Sequence, residues 1–141
     1  MELNLNCDLG EKSKHFDGKN DPKLLKIINT ANIACGYHAG NKKIIEETIK
    51  ISKKNNVSIG AHPSFKDKKN FGRKRLSLTI KELNKLISEQ LEIIHKIAEK
   101  ENYNITHVKP HGALNNMACE DINLSIEIAK SIYSFNKNLI F

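Results

Sequence analysis

The stretch LNLNCDLG at residues 3–10 alternates apolar and polar side chains and then reaches a glycine. Alternation with a period of two is typical of a β-strand, and Gly10 breaks the pattern. Asp8 lies near the C-terminal end of this predicted strand, and Glu11 follows the turn. The first strand is therefore predicted to deliver carboxylates at its C-terminal end.

Four further apolar segments have the length and composition of short buried strands. They lie at residues 33–35, 57–59, 105–108 and 139–141. Polar residues follow the first three of these segments, as they follow the N-terminal strand. The chain thus repeats one order of elements, in which a strand ends in polar residues and a helix comes next.

Helix start signals occupy the intervals between the predicted strands. Ser, Thr, Asp and Asn are the preferred helix N-caps, and proline is favoured in the first helical turn. Thr79 is also followed three positions later by a glutamate, which is the capping-box pattern. The predicted N-caps are Asp21, which precedes Pro22, and then Asn41 and Thr79, and a further helix is expected from about Asp121.

Strands that alternate with helices predict an α/β fold with a mainly parallel sheet. Such a sheet is either open and doubly wound or part of a β/α barrel. Polar residues at successive strand ends favour the barrel, because its active site is built from the loops after the strands. We expect one barrel domain over residues 1–141. A complete barrel takes about 250 residues, so we expect this domain to be incomplete at its C-terminus.

Composition limits the class of protein. With 39% hydrophobic and 28% charged residues, the chain has the composition of a globular domain. It has no apolar stretch of roughly 20 residues and no signal-peptide pattern, so we expect a cytoplasmic protein that does not bind membranes. The net charge of +7 comes from lysines interspersed with acids, which predicts solvated helix faces and no nucleic-acid binding.

The three cysteines form no C-x-x-C pair, so neither a disulfide framework nor a zinc ribbon is expected. Cys7 and Cys35 lie in apolar, strand-like settings, which favours small buried side chains over a catalytic thiol.

Histidines and carboxylates follow the first four predicted strands. Because parallel strands end at the same edge of a sheet, these side chains are expected to converge on one pocket. In chain order they are Asp8 and Glu11, then His38, then His62 with Ser64, and then His107, Lys109 and His111.

Five ordered motifs together resemble the family of 5-oxoprolinase A-subunits, the LamB/YcsF-like proteins. They are NCDLGE at 6–11, NIACGYHAG at 32–40, GAHPSF at 60–65, NFGR at 70–73 and HVKPHGAL at 107–114. The resemblance spans the chain from Leu3 to the final predicted strand. Three positions depart from the family pattern: Asn41 replaces Asp, Lys66 replaces Pro, and Asn115 stands where Tyr is common.

The resemblance implies a distorted seven-stranded β/α (TIM-like) barrel of the glycoside hydrolase and deacetylase type. It also implies one component of an ATP-dependent 5-oxoprolinase, which opens the lactam of 5-oxo-L-proline to L-glutamate. ATP is then a co-substrate, and the 5-oxoprolinase B- and C-subunits are the expected partners.

Within this reading, a carboxylate holds or deprotonates a water, histidines move protons, and a lysine stabilises negative charge on the carbonyl oxygen. Arg73 offers a forked donor to the substrate carboxylate. The expected catalytic residues are Asp8, Glu11, His38, His62, Lys109 and His111. The expected substrate-binding residues are Asn6, Asn32, Arg73 and His107.

Two other functions remain open at the level of sequence. One Asp with two or three His from different strands is also a workable divalent metal site, which would suit a metal-dependent hydrolase or deacetylase of carbohydrate or other amides. The other function is that of an inactive, truncated component that only binds partners. Residue types alone do not separate proton-transfer histidines from metal ligands.

Overall fold

The protein is described by a computed structural model over residues 3–141. Its elements alternate as the sequence predicts. They are β1 Asn6–Leu9, α1 Asp21–Leu24, β2 Thr30–Ala34, α2 Lys42–Lys54, β3 Ser58–His62, α3 Ile80–Lys100, β4 Ile105–Val108, α4 Gly112–Glu120 and α5 Ile122–Phe135.

The four strands form one sheet in the order β1-β2-β3-β4, and every neighbouring pair is parallel. The α/β class with a parallel sheet is therefore confirmed. Each strand lies beside the next one in the chain, as in the wall of a β/α barrel, whereas a doubly wound sheet reverses its strand order part-way. The described strands form an open sheet, and its closure into a seven-stranded barrel stays a prediction.

One face of the sheet is apolar and the opposite face is polar. Two registered rows form the apolar face: Cys7, Ala31, Ile59 and Ile105, and then Leu9, Ile33, Ala61 and Val108. Helices α2 and α3 pack on this face and bury it. The row between them runs through Asp8, Asn32, Gly60 and His107 and forms the polar face.

A bulge in β4 keeps apolar side chains on the apolar face of the sheet and a histidine on its polar face. Ile59 pairs with Ile105, but the next residue, Gly60, pairs with His107, so Thr106 is the extra residue. A residue inserted in this way reverses which face the following side chains point to. Ile105 and Val108 therefore both enter the core, while His107 joins the polar row.

A buried glutamine fixes the loop after β3. Gln90 of α3 is fully buried, and its Oε1 accepts a hydrogen bond from the backbone N–H of Ser64 at 2.9 Å. Its Nε2 donates to the backbone carbonyl of the same residue at 2.9 Å. One side chain thus satisfies both backbone groups of Ser64, two residues beyond His62.

Several predicted boundaries were wrong. Asn20, not Asp21, is the N-cap of α1, and the Asp21 carboxylate instead accepts a hydrogen bond from the backbone N–H of Gly10 at 2.9 Å. The predicted fifth strand is a single parallel bridge between Ile140 and His107. The caps Asn41 and Thr79 are confirmed.

Two elements beside the site differ from the sequence prediction. Strand β3 extends three residues further than predicted, to His62, and helix α4 was not predicted at all.

No helix within residues 3–141 combines the length and apolarity needed to cross a bilayer.

We expect Gln90→Leu to lower the free energy of unfolding by about 3 kcal/mol, measured by urea denaturation. The apolar side chain leaves two buried backbone groups of Ser64 unpaired, and each such group costs about 1–3 kcal/mol. Lys81→Ala, on an exposed position of the same helix, is the control and should change stability by about 0.5 kcal/mol or less. Equal stability of the two variants would contradict the role of Gln90.

Candidate active site

The C-terminal ends of the four strands bring the predicted side chains to one place. Asp8 and Asn32 point from adjacent strands, and the side-chain amide of Asn32 donates to Asp8 Oδ1 at 2.9 Å. The same amide donates to Asn6 Oδ1 at 3.1 Å. Lys109, 101 residues from Asp8 in the chain, donates from Nζ to Asp8 Oδ1 at 2.7 Å. The first and fourth strand ends are thus joined by an ion pair.

His107 continues this network along the polar row. Because the Asn32 amide nitrogen donates elsewhere, Asn32 Oδ1 is the acceptor, and His107 Nε2 donates to it at 3.0 Å. The Thr106 hydroxyl lies 2.9 Å from the other ring nitrogen. Gly60 makes room for the ring, since a Cβ on Gly60 would overlap the His107 ring atoms. The sequence reasoning did not single out Gly60 or Thr106.

His62 and His111 are oriented by backbone carbonyls. His62 Nδ1 lies 2.5 Å from the carbonyl oxygen of Lys109, and His111 Nε2 lies 2.9 Å from that of Phe71. A carbonyl only accepts, so these two nitrogens carry the protons. The remaining nitrogens, His62 Nε2 and His111 Nδ1, lie 3.0 Å apart.

Glu11 and His38 complete the buried part of the cluster. Glu11 Oε1 lies 3.1 Å from His38 Nε2, 3.3 Å from His111 Nδ1 and 3.8 Å from His62 Nε2. The His38 and His111 rings stack with centroids 3.9 Å apart.

Close approach of two loops brings His38 beside Glu11. Gly40 has φ of +70°, and a Cβ there would lie 2.5 Å from the carbonyl oxygen of Gly10. Gly40 thus packs against the loop after β1, whereas a Cβ on Gly36 would meet nothing within 4 Å.

Phe71 forms an aromatic wall over the histidines. Its ring makes edge contacts with His38 and His111 at centroid distances of 5.4 and 5.1 Å. Its carbonyl also fixes the His111 tautomer. The motif containing Phe71 was recognised, but this role was not predicted, because an apolar residue in a loop carries no signal of its own.

The cluster has an accessible part and a buried part. The side chains of Asp8 and Lys109 are 34% and 46% exposed, whereas those of His38 and His62 are 0% and 1% exposed. A small molecule can therefore reach the ion pair directly.

Burial and hydrogen bonding shift the pKa values of the cluster in opposite directions. Burial raises the pKa of Asp8, but interactions with His62 and hydrogen bonds from Lys109 and Asn32 outweigh it and hold the pKa well below its usual range. Burial lowers the pKa of His38 and His107, and it lowers that of His111 to about 4. The cluster therefore holds an ionised Asp8 and neutral imidazoles at these three positions near pH 7.

Three side chains are grouped closely enough to hold a metal ion. Glu11, His38 and His111 each offer one ligand atom, and these atoms lie within 4.8 Å of one another. Asp8 and Lys109 are not part of this group.

A cavity of about 440 Å³ opens beside Glu11. Arg73 and Lys69 line it together with the Phe71 ring. The Arg73 guanidinium lies 5.5 Å from the centroid of that ring. Arg73 is thus placed next to the cluster without joining its hydrogen-bond network.

The cysteines lie outside the cluster's hydrogen-bond network. Burial raises the pKa of Cys35 to about 12 and also raises that of Cys7, so both thiols are held in the protonated form near pH 7. Cys35 is fully buried as predicted, whereas Cys7 is only partly buried.

We expect His107→Gln to weaken the pH dependence of stability between pH 7 and pH 5. The pKa of His107 is lower in the folded than in the unfolded chain, so the unfolded chain takes up more protons below about pH 6.5. Stability contributed by the neutral ring is therefore lost on acidification. Urea unfolding at several pH values tests this, with His95→Gln, a partly exposed position outside the cluster, as control. Identical slopes for all three proteins would contradict it.

The chain is similar in sequence to 5-oxoprolinase A-subunits of two bacteria. The chain is 42% identical over 141 residues to the 5-oxoprolinase A-subunit of Staphylococcus epidermidis RP62A and 43% identical over 140 residues to that of Staphylococcus haemolyticus JCSC1435. These matches cover 100% and 99% of this chain but 56% of each relative. The chain thus spans just over half the length of these relatives.

The chain is also similar to a protein of known structure over nearly its whole length. The lactam utilization protein from Thermus thermophilus is similar with a TM-score of 0.93 and 34% identity, over 99% of this chain and 56% of the other. The family model described as LamB/YcsF matches residues 3–141. Because the family model matches essentially the whole described chain, the chain belongs to the LamB/YcsF family.

Proposed function

We propose that this chain acts as the A-subunit of an ATP-dependent 5-oxoprolinase, in which it binds 5-oxo-L-proline and takes part in cleavage of its lactam bond. The observation that carries the proposal is the accessible Asp8–Lys109 ion pair beside His62, next to a cavity that contains Arg73. The names of the relatives, which are 5-oxoprolinase A-subunits and a lactam utilization protein, support the same substrate class.

Lys109 is suited to stabilise charge on the lactam oxygen. Attack of water on the lactam carbonyl carbon places negative charge on this oxygen, and a cation already in position lowers the barrier. The contact with Asp8 holds the ammonium group at 2.7 Å without burying it. When the C–N bond then breaks, the electron pair on oxygen re-forms the carbonyl, the bonding pair stays on nitrogen, and the nitrogen takes up the proton that was removed from the attacking water.

His62 is better suited than Asp8 to accept a proton from water. The low pKa of Asp8 makes its carboxylate a weak base, so its role is to orient Lys109 and His62. The Lys109 carbonyl holds one ring proton of His62 on Nδ1, so Nε2 is the nitrogen that accepts a proton from water, and the Asp8 carboxylate, with Oδ2 at 3.4 Å, then stabilises the protonated ring. The hydrogen-bond network that includes Asp8 also contains the side chains of Asn6, Asn32 and His107.

Arg73 is the expected partner of the substrate carboxylate. It is exposed, lines the cavity beside Glu11 and makes no hydrogen bond to the cluster, so its forked donors are available. The B- and C-subunits of 5-oxoprolinase are the proposed partners, and ATP is the proposed co-substrate.

We expect His62→Ala to reduce turnover of 5-oxo-L-proline by about 10²- to 10⁴-fold, because it removes the proton acceptor. Lys109→Met should lower kcat by about 10²- to 10³-fold through loss of charge stabilisation. Release of glutamate and ADP is measured with this chain assembled with the B- and C-subunits.

His95→Gln is the matched control, since His95 is a partly exposed helical residue that pairs with Glu99 outside the cluster. Its turnover should equal that of the unmodified chain. Unchanged turnover in His62→Ala, or no turnover by the unmodified assembly, contradicts the proposal.

Arg73→Ala should act on binding more than on chemistry. A hydrogen bond to a charged group contributes about 1.5–3 kcal/mol, so KM should rise by about 10- to 100-fold with kcat little changed. Lys74→Ala tests whether loss of any positive charge in this loop has the same effect. A fall in kcat at constant KM would contradict the assignment of Arg73.

A further inference from the structure

We propose that Glu11 Oε1, His38 Nε2 and His111 Nδ1 bind one divalent transition-metal ion of the zinc type, with a fourth coordination position open toward His62. Two histidines and one glutamate, with one position left free, form a ligand set used by catalytic zinc sites. This proposal concerns metal binding by the chain itself and does not depend on which amide is cleaved.

The distances fit a single small cation. Zinc bonds of about 2.0–2.1 Å in a tetrahedral arrangement place neighbouring ligand atoms roughly 3.3 Å apart. Glu11 Oε1 lies 3.1 Å from His38 Nε2 and 3.3 Å from His111 Nδ1. All three ligand atoms lie within 4.8 Å of one another, which is close enough for the three residues to bind the same ion.

The tautomer of His111 leaves the required lone pair in the cluster. Its Nε2–H donates to the Phe71 carbonyl, so Nδ1 is unprotonated in the neutral ring and faces Glu11. Metal-binding histidines characteristically donate their second N–H in this way.

His62 presents a second lone pair to the same space. Its Nδ1–H donates to the Lys109 carbonyl, and its Nε2 lies 3.0 Å from His111 Nδ1. Two lone pairs at this distance repel each other unless a positive charge lies beside them. A metal ion bound to His111 supplies that charge, while a proton shared between the two rings is the competing explanation.

The surroundings favour a bound ion over solvent. His38 is fully buried and His111 is 8% exposed, and the Phe71 ring packs on the edges of both. Hard, fully hydrated cations such as Mg²⁺ prefer oxygen ligands, whereas two imidazoles with one carboxylate suit zinc and similar borderline metals.

Zinc binding by the chain alone tests the proposal. Protein is treated with a chelator, dialysed and titrated with Zn²⁺ by calorimetry, in a Cys119→Ser background because Cys119 is an exposed thiol. We expect one ion per chain. Glu11→Gln and His38→Gln should each weaken binding at least about tenfold, the effect seen even for residues one shell further from a metal.

Two controls keep the outcome specific. His95→Gln removes a partly exposed histidine away from the cluster and should bind Zn²⁺ as the background protein does. Circular dichroism checks that each variant is folded, and Glu11→Gln is nearly isosteric, so it is the variant least prone to disturb the fold. In addition, Co²⁺ bound at this site should show no thiolate charge-transfer band in its absorption spectrum, because none of the three proposed ligands is a cysteine.

The results separate this proposal from the reaction proposed above. Absence of Zn²⁺ binding, or equal affinity in the folded Glu11→Gln variant, overturns the metal site and leaves the shared proton as the explanation. A thiolate band with Co²⁺ also overturns it. Intact zinc binding in an assembly that does not turn over 5-oxo-L-proline contradicts the reaction alone.

Discussion

The parallel register of four strands is the constraint on which the site depends. It aligns Asp8, Asn32, Gly60 and His107 in one row and brings the following loops to a single edge. Residues as distant in the chain as Asp8 and Lys109 then pair directly. Hydrophobic burial on the opposite face maintains this register, because a shift by one residue would turn the polar row into the core and the apolar rows out of it.

Backbone carbonyls determine the chemistry of the histidines as much as their neighbours do. The carbonyls of Lys109 and Phe71 select one tautomer for His62 and one for His111. Burial disfavours the charged form of His111. The outer part of the cluster, with Asp8 and Lys109, is by contrast accessible and charged. A buried part that contains neutral imidazoles and an exposed part that contains an ion pair can therefore hold different groups without competing for them.

The sequence was informative where local rules act and uninformative where distant contacts decide. The Asn41 and Thr79 caps depend on residues three positions away and were predicted correctly. Asp21 was misassigned because its carboxylate binds the backbone N–H of Gly10, a contact between loops. Helix α4 was missed because His111 provides no side-chain cap and only Ala113 and Leu114 are buried. The convergence of the polar strand ends was predicted, but the ring tautomers depend on carbonyls that no sequence motif marks.

The contact between Gly60 and the His107 ring restricts which residues homologues can carry at these two positions. The His107 ring occupies the volume that a side chain at Gly60 would need, so the two positions share one fixed volume across neighbouring strands. A lineage could gain a side chain at position 60 only after losing the ring at position 107. The two positions are then expected to change together among homologues, and a library that varies either one alone would sample mostly sequences that cannot pack.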